Sequence, residues 1–229
     1  MNFASIIICA HNHLADLSIP CISRVLEGTS YPYELILVDD GSTDGTARYF
    51  STVTDKSFRL SKRGGQSRAR NVGLKNAAGD LIVTLDNDVF VPDGWLSILA
   101  EESQKANVGI IGAIPSNETE RLNAQPSQDG LLDFPHVSGA CMGITRSCFA
   151  AVGFYDENIE DHDDTDYCYR ALLAGFRVAN TPRLVVPHLA GGTRRGLGHR
   201  RIERSARRFR NKYIQYQNIL PMPPLYPFG

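Results

Sequence analysis

Two carboxylates at i and i+2, set at the end of a short apolar run, are the first residues in this chain with the makings of chemistry. They are Asp86 and Asp88, in Gly79–Val91 (Gly-Asp-Leu-Ile-Val-Thr-Leu-Asp-Asn-Asp-Val-Phe-Val). Leu81–Leu85 is rich in branched apolar residues, follows a Gly-Asp turn and stops at Asp86, Asn87 and Asp88. So short and apolar a run predicts a strand covered on both faces, as in a parallel sheet. Open α/β sheets bind ligands in the crevice beyond the carboxyl ends of their strands. Spaced this way around a turn, both carboxylates can point into that crevice. Hard oxygen donors of this kind suit Mg²⁺ or Mn²⁺, ions that usually also hold substrate phosphates. An Asp/Asn-rich turn that binds no metal is the plainer alternative.

Four other stretches carry polar groups in suggestive places. The run Glu34–Val38 also ends in an acidic turn, Asp39-Asp40-Gly-Ser-Thr-Asp-Gly-Thr46. Ser42, Thr43 and Asp44 suit the cap of a helix beginning near Thr46. Asp39 and Asp40 exceed what a cap needs, and a carboxylate here can accept a hydrogen bond from the imide N–H of a uracil ring. Lys62–Gly73 places glycines and basic residues at a helix start, which favours phosphate; a solvated basic face is the alternative. Arg70 stands out there because its helix feeds the acidic strand. Glu160–Asp166 holds five carboxylates just before a helix predicted over Tyr167–Ala174, where one or two would satisfy the helix dipole. Clustered carboxylates raise one another's pKa, which is one way to tune a general base. His188 follows the apolar run Leu184–Val186 and precedes Gly191-Gly192. It reads either as a structural histidine or as a third metal ligand. His11 and His13 have no third ligand nearby and read as loop residues at the mouth of the sheet.

The elements that must position these groups alternate. Ser5–Ala10 is a predicted buried strand, and Leu14–Leu26 a helix interrupted or delayed by Pro20. Strands Glu34–Val38 and Phe58–Leu60, a helix ending near Gly79, the strand Leu81–Leu85, a helix over Trp95–Lys105 and a strand over Val108–Ile114 follow. Strand–helix alternation implies a parallel sheet with right-handed crossovers. Pro115–Pro135 is polar and aperiodic, and a loop this long is usually functional or mobile. Val137–Thr145 is strand-like with small residues, Phe149–Phe154 reads as a helix end and turn, and Arg177–Asn180 and Leu184–Val186 read as short strands. Arg194–Lys212 is densely basic, with Ile202, Ala206, Phe209, Tyr213 and Tyr216 about a helical turn apart, so an amphipathic helix with a basic face is predicted. Pro221–Gly229 reads as an irregular tail. The chain divides into 1–115, 116–193 and 194–229.

Composition removes several classes. The 229 residues carry a net charge of −1, which gives no general pull toward nucleic acid. No apolar run approaches the roughly 18 residues of a membrane span. The N-terminus lacks a basic region and a small-residue cleavage site, so no signal peptide is expected. The five cysteines form no C-x-x-C pair and read as free thiols in a reducing compartment. A cytoplasmic protein is expected, with peripheral membrane contact open to the basic C-terminal helix. No G-x-G-x-x-G follows the first strand, which disfavours a dinucleotide dehydrogenase.

In order, Asp39-Asp40 with Gly-Ser-Thr-Asp-Gly-Thr, Ala69-Arg70-Asn71, Gly79-Asp80 to Asp88, Asp163-Asp164-Thr165-Asp166 with Arg170, and His188 resemble the family 2 glycosyltransferases of the GT-A fold. The resemblance spans roughly Ser5–Thr193. It implies an α/β fold with a mostly parallel central sheet flanked by helices, a Rossmann-like nucleotide-binding half and an acceptor half. By this resemblance Asp39 and Asp40 would meet the nucleotide base, in a pocket also lined by Ala10, His11 and Asn12. Arg70 would sit near the donor phosphates or base, and Asp86, with Asn87 beside it, at the ribose or sugar. Asp88 and His188 would ligate Mn²⁺ or Mg²⁺, Gly139 and Ala140 would lie under the donor sugar and acceptor, and Asp164 would be the general base. The family usually has Glu-Asp at the base motif. Here Asp163-Asp164 stands there, and a literal Glu160-Asp161 lies three residues earlier, so Asp161 is the alternative base.

The activity so implied is inverting transfer of a single sugar from a nucleotide sugar, most simply UDP-linked, to a glycan, lipid-linked or other hydroxyl acceptor. The Gln-x-x-Arg-Trp motif and membrane helices of processive synthases are absent from the sequence. A nucleotidyltransferase would also use acidic metal ligands, but it wants a glycine-rich basic loop after the first strand, where this chain has His11-Asn12-His13. A non-catalytic nucleotide-sugar-binding protein would not need the acidic cluster before Tyr167.

Overall fold

The computed structural model describes residues 3–189 and 199–220. Eight strands form one sheet: β1 (Ala4–Ala10), β2 (Tyr33–Asp39), β3 (Ser57–Arg59), β4 (Leu81–Asp86), β5 (Val108–Pro115), β6 (Leu132–Asp133), β7 (Cys141–Thr145) and β8 (Arg177–Val186). Their order is β3-β2-β1-β4-β7-β5-β8-β6. The first four strands by position pair in parallel. The sheet as a whole is mixed, and the expectation of a parallel one needs correcting at two places. β7 inserts antiparallel between β4 and β5, and β6 pairs antiparallel with β8. β4 and β5 still run the same way, so the crossover between them is the one expected; what it crosses is β7.

Strand alternation sends side chains to two separate cores. Ile6, Ile8, Leu35, Leu37, Val83 and Leu85 face one side, packed on α1 (Ile19–Gly28), α2 (Thr46–Val53) and α4 (Trp95–Glu102) through Ile22, Phe50 and Trp95. Ile7, Ile36, Val38 and Ile82 face the other, packed on α3 (Gln66–Asn76), α5 (Arg146–Val152) and α6 (Asp163–Leu173) through Ala69, Cys148 and Tyr167. Coverage on both faces accounts for the continuous apolar character of β1, β2 and β4. A third cluster of Ile159, Tyr169, Phe209, Tyr213 and Leu220 seats α7 (His199–Tyr213) against α6.

Several boundaries differ from those predicted. α6 begins at Asp163, so Asp163, Asp164 and Asp166 lie in its first turn. The strand expected over Val137–Thr145 is regular only from Cys141. The two short strands predicted after Phe176 are one, β8, with a register shift opposite Gly112 and Ile114. The helix predicted from Leu14 opens with one π turn, Leu14–Ser18, before α1. The polar stretch after β5 contains a 3₁₀ turn, Thr119–Asn123, as well as β6. Gly191-Gly192, Arg194 to Gly198, the Ile202 side chain and the Pro221–Gly229 tail lie outside the described residues.

Candidate active site

Register brings the chemistry to one rim. Ala10 pairs with Asp39, and Cys9 with Asp86, so β1, β2 and β4 end level. β7 runs the other way, so its amino end enters at that rim, and the Ala140 carbonyl accepts from Asp86 N at 3.0 Å. β8 runs with β5 and delivers His188 to the same side. The N-terminus of α6 completes the wall. Together they enclose a cleft of 580 Å³ whose lining includes Ala10, His11, Asp40, Arg70, Asp86, Asn87, Asp88, Gly139, Ala140, Asp161, Asp164 and His188.

Arg70 is the hub of this cleft. Only 3% exposed, it donates from Nη1 to Asp163 Oδ2 (2.6 Å) and from Nη2 to Asp86 Oδ1 (2.8 Å) and the Gly139 carbonyl (3.1 Å). Its guanidinium lies over the Tyr155 ring, 5.4 Å from the centroid. Two carboxylates and a carbonyl thus consume a fork that was expected to face donor phosphate or base. Gly139 is glycine for a direct reason: a Cβ there would meet Arg70 Nη2 at 2.8 Å. Burial pushes the Asp163 carboxyl up to about 7 against the pull of Arg70. Burial likewise raises Asp86, with Arg70 opposing and Asp88 reinforcing.

Asp86, Asp88 and His188 bring their ligating atoms within 4.8 Å of one another. His188 Nε2 lies 3.3 Å from Asp88 Oδ1. Donors about 2.1 Å from an octahedral ion stand roughly 3 Å apart when adjacent, so two oxygens and a nitrogen at this spacing fit a divalent cation such as Mn²⁺ or Mg²⁺. Burial works to lower the His188 pKa, but the hydrogen bond and charge of Asp88 outweigh it and the net shift is upward. An isolated bridge between Val89 and His188, with Leu189 N donating to the Asp88 carbonyl at 3.0 Å, closes the two chain segments on each other. Asp86, expected against ribose or sugar, therefore stands equally among the candidate metal ligands. Its Oδ1 is taken by Arg70 and by Gln66 Nε2 at 2.7 Å.

Asp164 and Asp161 both line the cleft but are held differently. Asp164 Oδ2 accepts from Gly139 N (2.8 Å) and Oδ1 from Thr165 N (2.6 Å), which fixes the carboxylate on the first turn of α6. Asp161 sits on the preceding loop, where its N–H and that of Glu160 both donate to Ser205 Oγ of α7 at 2.9 Å. Asp166, the third acid of that turn, faces away and is fully buried. It is bonded by Arg170 Nε (2.9 Å), Lys212 Nζ (2.7 Å) and Tyr213 OH (2.8 Å).

Two residues expected in the nucleotide pocket do not line the cleft. Asp39 is fully buried, accepting from Ser42 N at 2.9 Å and pairing with Arg59 Nε at 3.2 Å. Asn12, in the left-handed region at φ 59°, uses its N–H on Ser42 Oγ and its Oδ1 on Thr43 N, both at 2.8 Å. Both tie the β1 and β2 loops together. Asp40 does line the cleft, with Gly64 N and Gly65 N donating to its two oxygens at 2.5 and 3.0 Å. His11 Nδ1 bonds the Asp40 carbonyl at 2.8 Å. Asn87 turns its amide to Ser18 Oγ at 3.0 Å. Gln66, Glu118 and His136 line the cleft without having been singled out. Gln66 was legible, four residues before Arg70 on the same helix face; Glu118 comes from the polar loop and His136 from just after it, and neither carries a pattern.

Known proteins resemble this chain in sequence and fold. Residues 5–151 match the family model described as glycosyl transferase family 2. The uncharacterised glycosyltransferase YwdF of Bacillus subtilis is 27% identical over 196 residues, 78% of this chain and 70% of YwdF. The mannosyltransferase PcManGT from Pyrobaculum calidifontis, solved with GDP-Man and Mn²⁺, superposes with a TM-score of 0.74 at 22% identity, over 96% of this chain and 66% of that one. TarS of S. aureus (residues 1–349), solved with UDP-GlcNAc, gives 0.70 at 16% identity, over 93% and 67%. At such identities the structural likenesses speak for the fold, and the chain spans about two thirds of each solved relative. The family match covers well over half of the sequence: the chain belongs to glycosyl transferase family 2.

Proposed function

We propose that this chain transfers a single sugar from a nucleotide-sugar donor, UDP-linked, to a hydroxyl acceptor, with a divalent metal and with inversion at the anomeric carbon. The observation that carries the reading is the convergence of the Asp86, Asp88 and His188 donors and the Asp164 carboxylate on one cleft. Asp86, Asp88 and His188 would hold the cation, Mn²⁺ or Mg²⁺, which would supply Lewis-acid neutralisation of the leaving diphosphate. PcManGT was solved with Mn²⁺, which supports the same choice of ion here. Asp164 accepts the acceptor proton. Its hydrogen bonds, from Gly139 N and from the N–H and hydroxyl of Thr165, aim it without neutralising it. A carboxylate is a weak base toward an alcohol, so the proton moves as the new C–O bond forms. Arg70 holds Asp86 and Asp163, which takes those two carboxylates out of contention as a nucleophile, and with Asp164 as the base a single displacement inverts. The uridine assignment rests on Asp40, whose oxygens retain lone pairs beyond those given to Gly64 and Gly65.

A thermal-shift panel of UDP, GDP, ADP and their sugars, with and without Mn²⁺, tests the reading. Stabilisation by UDP and a UDP-sugar that requires the metal is expected. A guanosine preference would replace the donor, and indifference to every nucleotide would remove the function.

A further inference from the structure

The outer face of α7 lies apart from the cleft, and its charge is not spent inside the molecule. The helix carries six arginines and Lys212 against Glu203 alone, in a chain whose net charge is −1. Lys212 is consumed by Asp156 and Asp166, and Arg208 donates to the Asn158 carbonyl at 3.1 Å. Arg204, Arg207 and Arg210 are exposed, and no hydrogen bond or ion pair holds them among the described residues. A solvated face needs charge of either sign; this one takes nearly all of one sign. The apolar face is already covered, because Phe209 and Tyr213 are 2% and 1% exposed against α6. Directly after α7, Ile214, which opens the 3₁₀ turn Ile214–Tyr216, is 53% exposed, and Ile219 is 73% exposed.

We infer that this face is a docking surface for an anionic lipid bilayer, with α7 lying in the headgroup plane. Arginines that attract an anionic leaflet, beside large apolar side chains that reach the acyl boundary, are the two components of an interfacial helix. A nucleic acid would satisfy the arginines and offer nothing to Ile214 and Ile219, so the bilayer is the occupant the surface favours. No helix among the described residues is long and apolar enough to cross a membrane. Ser205, on the buried side of α7, holds the Glu160–Asp161 loop at the cleft wall, so docking would set that wall close to the headgroups. The inference does not depend on the transferase reading.

Sedimentation of the full chain with vesicles of phosphatidylcholine alone, and of phosphatidylcholine with phosphatidylglycerol, is the test. Binding to the anionic vesicles alone is expected, lost near ~1 M salt where the screening length falls to about 3 Å. Replacing Arg204, Arg207 and Arg210 together by alanine should weaken it on the order of 100-fold, at roughly fivefold per arginine. The pair Ile214→Ser and Ile219→Ser should weaken binding with the arginines intact. Unchanged melting temperatures and an unchanged nucleotide-induced thermal shift would show that the variants are folded and that the cleft is untouched. No sedimentation with anionic vesicles, equal binding to neutral ones, or an intact arginine-triple variant would overturn the proposal. So would indifference to the isoleucine pair, which would reduce the face to a general polyanion binder.

Discussion

Arg70→Ala separates two descriptions of the same residue. If Arg70 served the donor phosphates, its loss would weaken donor binding and leave the fold alone. The structure places it instead between Asp86 and Asp163, where it is 3% exposed. Removing one partner of a buried ion pair costs about 3–5 kcal/mol. At roughly 2–4 °C per kcal/mol for a domain of this size, melting should fall by roughly 6–20 °C. Arg70→Lys keeps the charge, but a point charge cannot fork to two carboxylates, so it should lose about one charged hydrogen bond, ~1.5–3 kcal/mol. The loss should also depend on pH. Burial already holds Asp163 up at about 7 with Arg70 pulling it down, and without Arg70 it rises further. A carboxyl with its folded pKa above its unfolded one takes up protons first in the folded state. Its stability contribution therefore declines as pH rises from about 4 through the folded pKa. Arg70→Ala should accordingly be better tolerated at pH 6 than at pH 8, and adding Asp163→Asn should restore part of the stability at pH 8. Melting curves across that range are the assay. A variant that melts within about 2 °C of the parent at both pH values, yet loses donor affinity, would refute the hub reading.

Three further outcomes follow from the same geometry. Asp88→Asn and His188→Ala should each abolish the metal-dependent part of nucleotide stabilisation in a thermal-shift assay, while Asp88→Asn without metal should melt no lower than the parent because it relieves the neighbouring charge of Asp86; an unaltered metal response would remove these residues from the ion. Asp164→Asn should lower kcat about 10²–10⁴-fold with donor affinity unchanged, and Asp161→Asn less than about tenfold, in a nucleoside-diphosphate release assay; the reverse order would move the base to Asp161. Ser205→Ala removes the acceptor of the Glu160 and Asp161 N–H groups, so chemical denaturation should show a loss of about 1–3 kcal/mol, and no loss would mean that α7 does not hold that loop.

The strands were readable because β1, β2 and β4 are buried on both faces and their apolar runs end abruptly at the rim. Strand direction was not, since residues such as Cys141–Thr145 carry no mark of which way they run; β7 is antiparallel because of where its ends must connect. The start of α6 was missed for a different reason. Apolar periodicity begins at Tyr167, whereas the helix begins four residues earlier with acids that suit its positive end. The hub was invisible because Arg70 and Asp163 are joined only by the fold; from sequence each looked like a free charge.

The acidic pairs show how far a local rule reaches. Residues i and i+2 within a strand share a face and adjacent residues do not, but the rule lapses where the strand ends: Asn87, in the turn after β4, lines the cleft together with Asp86 and Asp88. Asp86 and Asp88 are spaced by two, and their carboxylates meet His188 in one cluster. Asp39 and Asp40 are adjacent, and one of them turns from the cleft. The structure shows that it is Asp39, buried against Ser42 and Arg59, while Asp40 faces the rim. Which one depended on where β2 ends, and that is set by its pairing with β1, where Ala10 stands opposite Asp39 and closes the ladder.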